Sequence, residues 1–237
     1  MQILPWRLGA VDDVSVMGPE VDTNGWLAAR VQPPPPDIVD ALASQALQTR
    51  SPGPGSKPLF DAVAALIAAE PDLLAVVATR VRTVHLLMAA PGYDVSHSEP
   101  RWPALIFVSQ PERADVVGTL RLAESIVHEA MHLHLTVHEK RTKMVADPNG
   151  TMHSPWRNAP RPYGGVLHGL FVFTCIHAFF RRLAPSLDGA ALAHVERRLV
   201  EIRAEIEAVA LDSLIEGLTL AGAACAHQWS SSLSKQA

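Results

Sequence analysis

The sequence predicts a mainly α-helical fold: a single helical domain with at most a small β element, behind a Pro-rich N-terminal extension. Three observations predict it. From Leu59 onward apolar residues recur at helical spacing. Leu105-Ile106-Phe107-Val108 is the best strand candidate, a β-branched and aromatic run flanked by Pro103 and Pro111. The strongest breakers, Pro33-Pro34-Pro35-Pro36 and Ser51-Pro52-Gly53-Pro54-Gly55-Ser56, fall in the first 57 residues. Residues 1–57 therefore read as a loosely packed extension and residues 58–237 as the helical domain.

Within the extension, the polyproline run is a stiff spacer and the Ser/Pro/Gly run a flexible break. Between them residues 37–48 read as a short helix opened by Asp37. Leu59, Val63, Leu66 and Ile67 place a helix up to Pro71, and Pro71-Asp72 restarts a second one through Leu87. Pro91-Gly92 ends it. After the strand candidate, Ser109-Gln110-Pro111-Glu112 has the form of a capping box, and residues 120–139 should be helical throughout. A Pro/Gly-rich stretch at 145–165 reads as a long functional connection. An apolar helix from Gly165 to Leu183 follows, then helices over 190–211 and 214–226.

Composition excludes several function classes. A net charge of −4 leaves no electrostatic footprint for nucleic acid or an anionic membrane. Two cysteines, Cys175 and Cys225, make no disulfide framework and suit a reducing compartment. The start, Met1-Gln2-Ile3-Leu4-Pro5-Trp6-Arg7, lacks the layout of a signal peptide. The most apolar stretch, residues 165–180, contains two histidines and falls short of the roughly 20 residues of a bilayer span. The expectation is a cytoplasmic protein with no nucleic-acid or membrane partner and an open oligomeric state.

The chemistry concentrates in His128-Glu129-Ala130-Met131-His132. On a helix, positions i and i+4 lie on one face about 6 Å apart, so two imidazoles can converge on one ion. Glu129 then takes the place of the base that acts on metal-bound water in HExxH peptidases. A second pair, His134 and His138, lies roughly 160° around the helix and cannot serve the same ion. His138 stands where a longer metallopeptidase pattern has its third ligand, but that pattern needs a glycine at position 135 and the residue is Leu135. Glu139 is about 10 Å further along the axis than His132. Glu124 sits beside the clamp.

His168, at the start of the apolar helix, is the better third ligand, because a helix–loop–helix hairpin can return it to the first pair. His177 lies about 180° around that helix and reads as a core histidine. The intervening loop carries Arg157 and Arg161 on proline-stiffened backbone, a setting suited to bidentate capture of a carboxylate.

Four segments occur together in order: Pro91-Gly92-Tyr93-Asp94-Val95-Ser96-His97-Ser98, Ile106-Phe107-Val108-Ser109, residues 120–133 around the His-Glu run, and Ser154-Pro155-Trp156-Arg157 through Gly165-Val166-Leu167-His168-Gly169. Together, over roughly residues 60–185, they resemble the HExxH domain of biosynthetic clusters for ribosomally made, post-translationally modified peptides, whose members are regarded as iron- and 2-oxoglutarate-dependent peptide β-hydroxylases. The resemblance implies Fe(II) on His128 and His132, with His168 as third ligand, and Arg157 or Arg161 on the distal carboxylate of 2-oxoglutarate. It places Asp94 and His97 along the substrate site, and it implies a precursor peptide as partner. Imidazole suits iron as well as zinc, and oxygenase chemistry needs a ligand set with open positions. Two alternatives stand beside it: a zinc peptidase using Glu129 as general base, and a non-catalytic peptide-binding module.

Overall fold

The computed structural model describes residues 4–8 and 25–234. Over these the chain is mainly α-helical with two small sheets. It divides into two compact units. One comprises the described part of residues 11–133, the other the described part of residues 1–10 together with 134–237.

The first unit is built on a four-stranded sheet. Its elements are α1 (Pro36–Ala43), β1 (Thr49–Arg50), α2 (Ser56–Ala68), α3 (Pro71–Arg80), β2 (Thr83–Leu87), β3 (Ser96–His97), β4 (Leu105–Ser109) and most of α4 (Val116–Glu139). The strand order is β1-β2-β4-β3. β2 and β4 run parallel, while β1 and β3 pair antiparallel with their neighbours. Pro36 and Pro71 occupy the first turns of α1 and α3, where a missing N–H costs nothing.

Residues 26–50 belong to this unit rather than to a loose extension. Trp26 and Leu27 are buried, and Ile38 and Leu42 of α1 share a core with Leu87 and Phe107. β1 adds Thr49 and Arg50 to the sheet opposite Leu87 and Leu86. The polyproline run delivers α1 onto the sheet instead of holding it away.

The helix expected to run from Pro71 through Leu87 stops at Arg80, and Thr83–Leu87 is strand β2. Val81, Thr83 and Val84 are β-branched, and parallel pairing with β4 outweighs a helical spacing that Leu86 and Leu87 satisfy equally well. The expected strand over Leu105–Val108 is β4. The start of α4 is also shifted: Ser109 stays in β4, and Asp115 accepts a hydrogen bond from the Gly118 N–H at 2.8 Å to open the helix.

The second unit holds the end of α4, β5 (Thr151–Ser154), β6 (Ala159–Pro162), α5 (Tyr163–Leu183), α6 (Gly189–Glu207), α7 (Leu211–Glu216) and α8 (Leu220–Ser234). The stretch expected to be an irregular connection is a hairpin, Thr151 opposite Pro162 and Ser154 opposite Ala159. Asn158 makes its turn with φ +46°, a left-handed conformation that asparagine tolerates. α5 is long and apolar enough to cross a membrane by length and composition, yet 67% of its apolar window is buried inside the protein. It packs on α6 and α8 as the unit's core helix. His177 on it is buried, and so is His134, whose Nε2 lies 3.0 Å from the Trp6 carbonyl oxygen.

Candidate metal centre

α4 is one unbroken helix of 24 residues, and its apolar positions fix its rotation. Leu122, Ala123, Ile126, Val127, Ala130 and Met131 are all buried. That rotation leaves His128 and His132 half-buried on one face, as the spacing requires. Their Nε2 atoms stand 3.1 Å apart, with ring centroids 4.7 Å apart and planes at 66°.

Two neutral imidazoles at that distance can share a proton as N–H···N. The same separation fits a metal: with metal–nitrogen bonds of about 2.1 Å, 3.1 Å between nitrogens subtends an angle of about 95° at the ion. That lies between the octahedral and tetrahedral values, so the pair suits iron and zinc alike. Among the described residues, no group of three or more His, Cys, Asp or Glu side chains is arranged to hold a metal ion.

Glu129 points into the sheet and is buried. Its Oε1 accepts a hydrogen bond from Ser96 Oγ at 2.6 Å and its Oε2 one from Ser98 Oγ at 2.5 Å. Oε1 lies 3.9 Å from His128 Nε2. Each oxygen of the carboxylate thus has its own short, charge-assisted partner, which compensates for burial of the charge. Sequence reasoning missed these serines. The available signal was their Ser-x-Ser spacing, which on a strand puts both hydroxyls on one face.

Asp94 and His97 stand on the same segment with other partners. Asp94 Oδ2 accepts from Arg121 Nε at 2.7 Å. His97 faces the opposite side of the strand from the serines, against the Phe107 ring at 6.0 Å, with Nε2 2.8 Å from Glu99 Oε1. Burial works to raise the Glu99 carboxyl. Hydrogen bonds from Gln45, His97 and Arg101, with the Arg101 charge, overcome it and bring the pKa down to about 2.

The remaining predicted residues lie in the second unit. His168, on the first turns of α5, has Nε2 2.9 Å from Glu139 Oε2. Arg157 is exposed at the hairpin turn, and Arg161 is exposed on β6. Trp156, the residue before Arg157, stacks on Phe173 of α5, centroids 5.3 Å apart and planes at 8°. That stack covers Gly169, where an added Cβ would lie 2.6 Å from the Trp156 ring, so only glycine fits. The hairpin is thereby fastened to α5 and its turn holds Arg157 in solvent. No protein-family model matches the chain, and no match is found among curated proteins.

Proposed function

We propose that this chain is a metal-dependent enzyme that modifies a ribosomally made peptide, by Fe(II)- and 2-oxoglutarate-dependent hydroxylation at a side-chain β-carbon. His128 and His132 hold the iron, His168 is the third ligand, and Arg157 or Arg161 binds the distal carboxylate of 2-oxoglutarate. Asp94 and His97 border the peptide, which is met in the cytoplasm. Iron with 2-oxoglutarate supplies oxygen activation: the peptide C–H and O2 become C–OH while 2-oxoglutarate is converted to succinate and CO2. The Nε2 of His168 lies 2.9 Å from Glu139 Oε2, so Nδ1 is the nitrogen it would have left for a metal.

The observation that carries this reading over a zinc peptidase is the state of Glu129. A peptidase base must take a proton from metal-bound water, with a carboxylate free to receive it. Here the carboxylate is buried and each oxygen accepts a serine hydroxyl at 2.6 or 2.5 Å. That is the setting of a structural anchor beside the ligands.

The test is anaerobic reconstitution of the full chain with Fe(II), 2-oxoglutarate and a candidate precursor peptide, a short reading frame sought among the neighbouring genes, followed by exposure to oxygen. Succinate in step with a peptide heavier by one oxygen atom is the expected result. Peptide cleavage by the zinc-loaded chain, lost in Glu129→Ala, with no succinate from the iron form, would overturn it.

A further inference from the structure

We propose that the outer edge of β3 is a docking strand for an extended peptide, which adds to the sheet there and so lies beside His128. The identification of that peptide as the substrate rests on the function proposed above; the docking geometry does not.

β3 ends the strand order, with β4 on one side of it. Its register pairs Ser96 with Val108 and His97 with Phe107. The Ser109 N–H donates to the Val95 carbonyl at 2.7 Å, so the main chain of Val95 faces β4. Alternation along an antiparallel strand then turns His97 inward as well and directs the N–H and C=O of Ser96 to the outer edge, and Ser98, the first residue past the end of β3, is next in that phase. Two residues apart, these groups match the repeat of an extended partner chain.

The side chains of the same two serines are committed elsewhere. Both hydroxyls go down to Glu129 on α4, at 2.6 and 2.5 Å. The edge is therefore anchored at two points to the residue next to His128, and a strand laid along it runs past that imidazole. Residues 95–98, Val-Ser-His-Ser, carry none of the lysines or prolines that commonly block an edge.

Nearby charges do not select a charged partner. Asp94 is paired with Arg121, and Glu99 with His97 and Arg101. What the approach offers instead is apolar: Tyr93 is 73% exposed and Met88 55%, both on the connection that leads into β3. A neutral main chain with a hydrophobic side chain against Tyr93 is the occupant that these features fit.

The test uses the full chain and a displayed library of random dodecapeptides, with the best-enriched sequences synthesised. Amide hydrogen exchange is then read at Ser96 and Ser98. Both amides should slow on peptide addition. N-methylation at alternate peptide positions should weaken binding by about tenfold, the loss expected for one inter-strand hydrogen bond, and Tyr93→Ala should weaken it several-fold. Amides already slow in the free chain, protection elsewhere only, or no enriched sequence would each overturn the proposal. Succinate formation with a precursor peptide that leaves Ser96 and Ser98 unprotected defeats the docking and spares the function. Protection of both amides with no oxidation of the peptide does the reverse.

Discussion

Removing the serine partners of Glu129 should destabilise the first unit by an amount set by a buried carboxylate losing its donors. A hydrogen bond to a charged group is worth about 1.5–3 kcal/mol, and Ser98→Ala removes one of 2.5 Å while leaving Oε2 buried. A loss of about 2 kcal/mol follows, which for a chain of this size lowers Tm by roughly 4–8 °C. Ser96→Ala should cost the same, and the double variant roughly 3–5 kcal/mol, because the charge then has neither partner. The discriminating measurement is a double-mutant cycle with Glu129→Gln, followed by urea unfolding of the metal-free protein. If the serines act through the carboxylate, Ser98→Ala should cost at least about 1 kcal/mol less in the Glu129→Gln background. Equal losses in both backgrounds, or single losses below about 0.5 kcal/mol, would refute the assignment of Glu129 as an anchor.

Two further outcomes follow from the second unit. His177 is buried, and burial with the Arg203 and Arg181 charges pushes its pKa down to about 4. It is neutral in the fold and titrates near 6.5 when unfolded, so stability is full above about 6.5 and falls as pH drops from there through about 4, by roughly 3 kcal/mol in all. Unfolding free energy against pH should lose that slope in His177→Phe; an unchanged slope would show that other groups carry it. Gly169→Ala puts a Cβ 2.6 Å from the Trp156 ring and forces it off Phe173. A loss of about 1–3 kcal/mol is expected, with altered tryptophan fluorescence; a variant as stable as the parent would mean that the hairpin is not fastened there.

The part of this molecule legible in the sequence is the part governed by local repeats. The 3.6-residue spacing of Leu122, Ile126, Val127, Ala130 and Met131 sets the rotation of α4, and the His128–His132 convergence follows from it without any tertiary input. β4 was legible for the same reason, as a short branched run between prolines. β2 was not, because Thr83-Val84-His85-Leu86-Leu87 fits a buried helix end as well as a buried strand, and the deciding partner lies at Leu105–Ser109. The β5–β6 hairpin shows its alternation in burial, Thr151 and His153 exposed, Met152 and Ser154 buried, beneath a composition that reads as loop. The clamp on Glu129 was hidden by distance along the chain: its donors are 33 and 31 residues earlier, and nothing local joins a serine strand to a glutamate on a helix.

That separation bears on how the His-Glu run should be interpreted. The helix fixes where the two imidazoles point, so any sequence with this spacing on this face gives the pair. It does not fix what the intervening glutamate does, since a carboxylate next to a metal ligand is a base when open to water and a strut when both oxygens are engaged. Here the β3 segment makes the difference: Ser96 on the strand and Ser98 just past its end supply the two hydroxyls, while His97 between them packs on Phe107. The serines of this segment therefore decide whether the Glu129 carboxylate is open to water, and here both of its oxygens are engaged.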